Sequence, residues 1–330
     1  MAEYINIRGQ SIEVLASDPA NPTVGQIWYN STSNTLKGEG YIATASWASA
    51  PSANTARYSA GPSSAGTQTA MLAFGGEVPP GTGATEEYNG STWTNKPSLN
   101  TPRTYPGGAG TVTAALAFSG YLPAAPTTGA TESWNGSSWT SVASLSQARY
   151  VVAGTGTQTS ALCIGGLPAP GAYNNTEEWS GSSWSNGGAL TTARGFAGST
   201  GTEAAALCFF GYNGTSRVAN VESYDGTSWT AVNSGNTARN GLPPGGAGTQ
   251  TAALAIGGSP NSPTASTTAI EEYDGTSWAT TANLPVGKQA GSAAGTTSAA
   301  IHGLGYTNTT VATAEEYTGA GPVTKTITAS

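Results

Sequence analysis

Short apolar runs recur along the chain, and each of them ends at glycine. The first run is AMLAF, residues 70–74, which follows GTQT and ends at Gly75-Gly76. Its apolar positions are continuous rather than alternating, which is typical of a β-strand covered on both faces. After a Pro/Gly-rich stretch comes a second pattern, EEYNGSTW, in which polar and aromatic positions alternate. These patterns predict short strands and no helix.

Both patterns occur six times. The intervals between successive copies of the first pattern are 44, 46, 45, 47 and 47 residues, by subtraction of the positions of their opening glycines. A fixed period of this size without helical periodicity is typical of a radial or solenoid β-array. The opening glycines are Gly66, Gly110, Gly156, Gly201, Gly248 and Gly295.

Each copy contains four strand signals. The first follows a basic residue and the second is the apolar run; in the first copy the third is Thr85 to Tyr88 and the fourth is Ser91 to Thr94. Asn89-Gly90 predicts a hairpin with a type I′ turn, in which both central residues have positive φ. Four such strands cannot bury both sheet faces alone, whereas a closed ring of copies buries the faces and protects the edges. The expected fold is therefore all-β, a six-bladed β-propeller.

The repeat resembles the kelch repeat. That family has a glycine pair after the second strand, then an aromatic residue and a tryptophan, and often a basic residue before the next blade. Gly75-Gly76, Tyr88, Trp93 and Arg103 occupy these places in the first copy. The resemblance covers residues 47 to 318 and implies four-stranded antiparallel blades. It implies little about function, because kelch-like propellers serve as enzymes, adaptors and fibre parts. The glycine pair is imperfect at Ser119-Gly120, Phe210-Gly211 and Leu304-Gly305.

The spacing from tryptophan to the next basic residue predicts how the ring closes. It is ten residues in every copy that has the tryptophan, and Trp47 also stands ten residues before Arg57. The sixth copy has no tryptophan after Tyr317. We therefore predict that the strand at Trp47 completes the sixth blade of a propeller domain spanning residues 43–330. The alternative is that Val323 to Thr328 supplies this strand.

Residues 1–42 lie outside the repeat. Gly25 to Asn30, Ser31 to Asn34 and Thr35 to Lys37 predict a β-hairpin. The stretch GQIWYNSTSNTLKG is similar to a segment of bacteriophage tail-fibre and other virion proteins, where it often precedes a repeat region. This resemblance implies that residues 1–42 attach the protein to other virion proteins. The alternative is a small β-extension that packs on one blade.

Composition and charge narrow the classes of function. Only 9% of residues are charged and the net charge is −7, without a basic stripe, so we expect no nucleic-acid partner. Met1 to Glu13 is polar and acidic, and no apolar run approaches transmembrane length, so we expect no signal peptide and no membrane insertion. Cys163 and Cys208 occupy a slot that holds alanine in other copies and should be buried small residues.

A basic residue and a glutamate recur in every copy. Because both partners are always present, we expect buried pairs of bidentate geometry, or glutamates that cap backbone amides between blades. The alternative is an acidic ring that binds cations. The basic residues are Arg57, Arg103, Arg149, Arg194 and Arg239, with Lys288 in the sixth place. The glutamates are Glu86, Glu132, Glu177, Glu222, Glu271 and Glu315.

The loops between the second and third strands vary most among the copies. Loops on a rigid scaffold often carry recognition residues, and Tyr and Asn side chains give adaptable contacts that suit sugar rings. The alternative is that these loops are plain surface turns. The candidate binding residues are Tyr121, Tyr173, Tyr212, Asn213, Arg217, Asn261, Tyr306 and Asn308.

Catalytic motifs find little support in the sequence. His302 is the only histidine and stands in the Ala/Cys slot of the sixth copy, so we expect no His-rich metal site. The turn at Asp225 is one residue short of a sialidase Asp box, and most copies lack the aspartate. We therefore expect no enzyme and no cofactor.

Together, the uniform repeats and the N-terminal segment predict a bacteriophage virion structural protein in a tail, fibre or capsid-surface position. We expect it to be made in the host cytoplasm and to assemble in many copies, with propeller loops that contact a host-surface glycan or protein. The alternative is a cellular kelch-type module that binds a carbohydrate or a protein.

Overall fold

The computed structural model describes residues 12–20, 22, 25–42, 44–122, 127–167, 171–260 and 265–326. The chain divides into two compact units. The larger unit, Ser46–Thr318, contains the repeats, and the smaller contains the described residues on either side of it. The described residues form strands and no helix, so no helix among them could cross a membrane.

The larger unit is a six-bladed β-propeller, in which each blade is a four-stranded antiparallel sheet. Blades are numbered from the first complete repeat, and their strands are named first to fourth from the centre outwards. The strands are Gly61–Pro62, Met71–Phe74, Thr85–Tyr88 and Trp93–Lys96 in blade 1; Gly107–Gly110, Ala115–Phe118, Thr131–Trp134 and Trp139–Val142 in blade 2; Ala153–Gly156, Ala161–Ile164, Thr176–Trp179 and Trp184–Asn186 in blade 3; Gly198–Gly201, Ala206–Phe209, Val221–Tyr224 and Trp229–Val232 in blade 4; Ala247–Gly248, Ala253–Ile256, Ile270–Tyr273 and Trp278–Thr280 in blade 5; and Ser292–Gly295, Ala299–Gly303, Ala314–Thr318 and Ser46–Ala50 in blade 6.

The first strands surround the axis of the ring. Each contacts the first strands of both neighbouring blades, and the first strand of blade 6 contacts that of blade 1, so the ring is closed. These strands consist of small residues because a side chain has no room there. A Cβ atom on Gly108 of blade 2, for example, would lie 2.1 Å from the carbonyl oxygen of Pro62 in blade 1. Glycine and other small residues in the first strands permit this close approach of six backbones.

The second strands are buried on both faces, as their continuous apolar runs predicted. Every residue of Met71–Phe74 is buried. Neighbouring blades pack through these strands; the rings of Phe74 in blade 1 and Trp139 in blade 2 lie 5.1 Å apart at their centroids. Cys163 and Cys208 are free and buried in the second strands of blades 3 and 4, which confirms that they act as small core residues.

Blade 6 is closed by a strand from the start of the ring sequence. Ser46–Ala50 pairs antiparallel with Ala314–Thr318, and Trp47 stands opposite Tyr317. The two rings lie 5.0 Å apart at their centroids. The Trp47 indole also donates a hydrogen bond to the carbonyl oxygen of Ala282, at 3.0 Å. The predicted closure at Trp47 is therefore confirmed.

The smaller unit is a four-stranded sheet to which both ends of the chain contribute. Across the sheet its strands are Glu13–Leu15, Ile27–Asn30, Thr35–Ile42 and Gly321–Thr326; the first pair is parallel and the other pairs are antiparallel. The predicted hairpin is confirmed. The predicted propeller domain of residues 43–330 is wrong at its C-terminal end, because Gly321–Thr326 pairs with the edge of Thr35–Ile42 in the smaller unit. The alternative prediction, that Val323 to Thr328 closes blade 6, is wrong for the same reason. The corresponding place in blade 6 is already filled by the strand at Trp47.

The carboxylate of Asp18 ties the hairpin of the smaller unit together. It accepts hydrogen bonds from Lys37 Nζ at 2.6 Å, from Asn30 Nδ2 at 2.7 Å and from Trp28 Nε1 at 3.0 Å. These donors, Lys37 foremost, lower the pKa of Asp18 to about 2. Asp18, which precedes the hairpin in the chain, thus anchors it.

The hairpins between third and fourth strands are present, but their turn type differs from the prediction. In blade 1 the loop comprises residues 89–92. Gly90 has a φ of +88°, whereas Asn89 is not in the left-handed region. The side-chain oxygen of Asn89 accepts hydrogen bonds from the backbone amides of Ser91 and Thr92, both at 2.9 Å. The type I′ prediction was wrong because this side-chain cap stabilises a longer loop.

Candidate functional site

Each blade holds a buried base that is paired with the glutamate of its third strand. In blade 2, Arg103 Nη2 donates to Glu132 Oε1 at 2.6 Å, while Nη1 donates to the carbonyl oxygens of Ser119 and Ala130. The other carboxylate oxygen of Glu132 accepts from the backbone amide of Asn100 at 2.7 Å. Burial lowers the pKa of Arg103, and the charge of Glu132 opposes this shift.

The buried pairs are confirmed, but their predicted bidentate geometry is wrong. The guanidinium of Arg103 divides its donors between Glu132 and backbone carbonyl groups. Each glutamate is neutralised within its own blade, which contradicts an acidic cation-binding ring. Among the described residues, no group of three His, Cys, Asp or Glu side chains is placed to hold a metal ion. The pairs are Arg57–Glu86, Arg103–Glu132, Arg149–Glu177, Arg194–Glu222, Arg239–Glu271 and Lys288–Glu315.

The connections between strands are sorted onto two faces of the ring. Because the strands of a blade alternate in direction, the loops between second and third strands share one face with the segments that enter the next blade. Backbone bridges join these two kinds of segment, as between Gly195 and Tyr212 and between Gln289 and Tyr306. This side is termed the cavity face. The opposite side, which carries the loops between first and second strands and the third-to-fourth-strand hairpins, is termed the hairpin face.

A ring of backbone hydrogen bonds surrounds the axis on the cavity face. It is formed by the residues two positions after each framework base, which all have φ between +50° and +68° and are termed the axial residues. At five of the six junctions the axial N–H donates to the axial carbonyl of the preceding blade, as from Tyr105 to Ser59 at 3.0 Å. The hydrogen bonds offset the strain of a left-handed backbone. The axial residues are Ser59, Tyr105, Val151, Phe196, Gly241 and Ala290.

A cavity of about 510 Å³ lies at the centre of the cavity face. Four axial residues line it, together with residues from the bridges between the loops. Its walls combine five aromatic rings with an arginine and two amide side chains. The lining residues are Tyr58, Tyr105, Leu167, Phe196, Tyr212, Arg217, Asn240, Gly241, Gln289, Ala290 and Tyr306.

The aromatic side chains of the cavity support one another. The Tyr105 ring lies 5.8 Å from that of Phe196 and 6.4 Å from that of Tyr58, between centroids. Tyr306 in turn lies 5.4 Å from Tyr58. All four side chains are partly exposed, so each ring presents surface to a ligand while its neighbours hold its position.

Two charged side chains shape the electrostatics of the cavity. Arg217 Nε donates to Asn240 Oδ1 at 3.2 Å and to the carbonyl oxygen of Ser259 at 2.9 Å. On another side, burial raises the pKa of Tyr58 and Tyr105, and the Glu77 carboxylate raises both further. Both phenols therefore remain protonated and able to donate hydrogen bonds at neutral pH.

The cavity brings together three of the predicted binding residues, Tyr212, Arg217 and Tyr306. Tyr121 is 41% exposed and does not line the cavity; its ring lies 5.7 Å from that of Tyr150. Tyr173 is half-buried, and its backbone amide donates to Gly166.

The two predicted asparagines that the structure describes stand apart from the cavity. The side-chain oxygen of Asn213 accepts from the amides of Thr215 at 3.0 Å and Ser216 at 2.8 Å, so it caps its own loop. Asn308 is exposed, with a φ of +90°, and does not line the cavity. Asn261 lies outside the described residues.

Sequence reasoning missed the cavity residues that follow the framework bases, among them Tyr58, Tyr105, Phe196 and Gln289. A signal was present in the chain. Next to an almost invariant base, the axial position changes from Ser to Tyr, Val, Phe, Gly and Ala around the ring. Such variation beside a fixed framework indicates side chains that the fold leaves free to face a ligand.

His302 lies in the second strand of blade 6 and does not line the cavity. Its Nδ1 is 3.9 Å from Glu315 Oε2, and neither ring nitrogen has a hydrogen-bond partner among the described residues. Burial, and then the charge of Lys288, lower the pKa of His302 well below its usual value. The imidazole is therefore neutral at physiological pH.

Comparisons with known proteins support the fold and leave the site unassigned. No protein-family model and no curated protein matches the chain. Among solved structures, the chain is similar to one titled "Structure of YjhT", with a TM-score of 0.66 and 12% sequence identity; the match covers 84% of this chain and 99% of that one. At this level of identity, the similarity supports the β-propeller fold alone.

Proposed function

We propose that this protein is a non-catalytic attachment protein of a bacteriophage particle, whose kelch-like propeller binds a host-surface glycan in the cavity. The observation that carries the proposal is the chemistry of the cavity walls. Aromatic rings next to amide and hydroxyl groups are the surfaces on which sugars pack their C–H faces and pair their hydroxyl groups. The volume of about 510 Å³ suits a small ligand.

The proposed place in a virion is supported by the N-terminal sequence and by the arrangement of the chain. The resemblance of GQIWYNSTSNTLKG to virion proteins falls on the hairpin of the smaller unit. Strands from both sides of the ring sequence form that unit, and the ring is a compact unit of its own. Six near-uniform copies suit an architectural protein that assembles in many copies.

Binding without turnover is supported by the position of the titratable groups. His302 and the six framework glutamates are buried inside the blades, where they hold one another and the backbone. The cavity walls offer Arg217, phenols and amides, which suit recognition through hydrogen bonds.

A glycan array probed with the full chain tests the binding proposal. We expect the wild type to bind at least one glycan class and Tyr306→Ala to lose most of that signal, because Tyr306 is part of the aromatic wall. Tyr29→Ala, which removes a half-buried tyrosine from the smaller unit, is the matched control and should bind like the wild type. Absence of binding to any glycan, or equal loss in both variants, would contradict a sugar-binding cavity.

Immunogold labelling of intact particles tests the place in the virion separately. An antibody against the ring should decorate a tail, fibre or capsid surface at regular positions. Label that stays with the host cell and never with particles would contradict the virion proposal and favour a cellular binding module.

A further inference from the structure

Resting on the proposed function, we infer that the cavity selects an acidic saccharide, whose carboxylate pairs with Arg217. Arg217 is the one Lys or Arg in the described part of the ring without a salt bridge; the other seven are paired with glutamates. In a ring whose other described bases are all paired with glutamates, a guanidinium without an acidic partner on a cavity wall is a recognition group for an anion.

The contacts of Arg217 orient it for this role. Its Nε is held by Asn240 Oδ1 and by the carbonyl oxygen of Ser259. Among the described residues, the two terminal amino groups make no hydrogen bond, so they remain for a ligand. A carboxylate is the planar anion that this pair of donors matches best. The adjoining aromatic walls then favour a carboxylate carried on a sugar ring over a small inorganic anion.

Another side of the cavity carries an opposing charge. Glu77 faces Tyr58 and Tyr105 and is the acid whose field reaches these phenols. An anionic ligand would be repelled by Glu77 and attracted by Arg217, and the net charge of −7 gives the ring no general attraction for anions. The inference therefore predicts effects of opposite sign for these two residues, which a purely aromatic sugar site would not show.

A pair of matched ligands measures how much the carboxylate contributes to affinity. Uronic-acid-containing oligosaccharides are arrayed beside the same oligosaccharides after reduction of each carboxylate to a primary alcohol, and the full chain is applied. We expect the affinity for the acidic form to exceed that for the reduced form by about tenfold or more. A peptide with a free C-terminal carboxylate serves as a third arm, and preferential binding to it would overturn the saccharide assignment.

Matched variants of the protein measure how much Arg217 contributes to that affinity. Arg217→Gln should reduce affinity for the acidic form by about tenfold and leave the reduced form nearly unchanged. Lys96→Gln removes the same charge from a half-buried pair between Lys96 of the fourth strand and Glu87 of the third strand, and should retain the preference for the acidic form. Glu77→Gln should strengthen binding of the acidic form. Circular dichroism spectra of all three variants should match that of the wild type.

The outcomes separate the two proposals. Binding of acidic and reduced forms with equal affinity, or an equal effect of Arg217→Gln and Lys96→Gln, overturns the acidic-saccharide inference while a sugar-binding cavity stands. Absence of binding to every saccharide overturns both.

Discussion

The framework of the ring and its cavity face follow opposite rules. In the framework, a base, a glutamate and a tryptophan recur from blade to blade, and each glutamate forms an ion pair with the base of its own blade. On the cavity face, the axial residue differs in every blade and the loops vary in length and composition, and Arg217 retains donors without a partner among the described residues. Repetition therefore marks what the fold requires, and variation marks what it leaves available for a ligand.

This contrast predicts that framework substitutions change the free energy of unfolding without changing which ligand is preferred. Cavity substitutions should change the ligand preference without changing the free energy of unfolding. Blade 6 is the informative exception within the framework. It replaces arginine by Lys288, places His302 in a slot held elsewhere by alanine or cysteine, and takes its fourth strand from a distant part of the chain.

The largest expected effect is the loss of a framework base. Arg103→Met leaves Glu132 buried without its cation and should lower the free energy of unfolding by about 3–5 kcal/mol. Lys288→Met should lower the free energy of unfolding by less than Arg103→Met does. In this variant His302 lies near enough to Glu315 to take up a proton and replace the lost positive charge. Urea unfolding at pH 5 and pH 8 measures both variants. If both variants lost the same free energy of unfolding, at pH 5 as at pH 8, this account of blade 6 would be contradicted.

A pH effect of intermediate size is expected from His302. Its folded-state pKa is depressed below 6.5, so below that pH the unfolded chain binds a proton that the folded chain excludes. The stability from this group is fully present above pH 6.5 and is lost as pH falls towards the folded-state pKa, by at most about 1.4 kcal/mol per pH unit.

The matched variant for this effect is His302→Ala, since alanine occupies the equivalent slot in blades 1, 2 and 5. It should unfold more easily than the wild type at pH 8 but lose less stability between pH 6.5 and pH 5. Thermal unfolding across this range measures how stability depends on pH. If this dependence were the same in His302→Ala as in the wild type, His302 would not be the titrating group.

A smaller effect, of opposite sign, is expected at Trp278. In blades 2, 3 and 4 the fourth-strand tryptophan donates to a threonine of the preceding blade, as from Trp184 Nε1 to Thr131 Oγ1 at 3.0 Å. In the third strand of blade 4 that position is Val221, and the Trp278 indole N–H has no hydrogen-bond partner among the described residues. The missing hydroxyl explains this unpaired donor.

Val221→Thr should therefore raise the free energy of unfolding by about 1 kcal/mol, because it supplies the missing acceptor. The reciprocal variant Thr131→Val should lower it by a similar amount, because it removes the acceptor of Trp184. Urea unfolding compares the two with the wild type, and a glycan array should show unchanged binding in both. A destabilised Val221→Thr would mean that burying the hydroxyl outweighs the new hydrogen bond.

Much of the framework could be predicted from sequence because repetition displays it six times. The strands, the Arg–Glu pairs and the closure at Trp47 all follow from fixed spacings. The place of Gly321–Thr326 could not be predicted, since it depends on pairing with Thr35–Ile42, which has no repeated counterpart.

The candidate site was predictable only in part. Loop variation identified Tyr212, Arg217 and Tyr306, but the same reasoning selected Asn213, whose side chain caps a turn. Asparagine suits both roles, and the sequence alone does not distinguish them. Tyr105 was missed because its left-handed backbone, imposed by bonds between blades, brings it to the cavity from a segment that looks like a simple linker.

The most direct test of the central claim is an NMR titration of the full chain, with ¹³C-labelled tyrosine rings, by an acidic oligosaccharide. The cavity tyrosines should shift in a saturable manner, while tyrosines of the third strands beside the hairpin face should not. The first group is Tyr58, Tyr105, Tyr212 and Tyr306, and the second is Tyr88, Tyr224 and Tyr273. Saturable shifts confined to the first group are the predicted result; shifts in the second group, or none at all, would contradict binding at the cavity face.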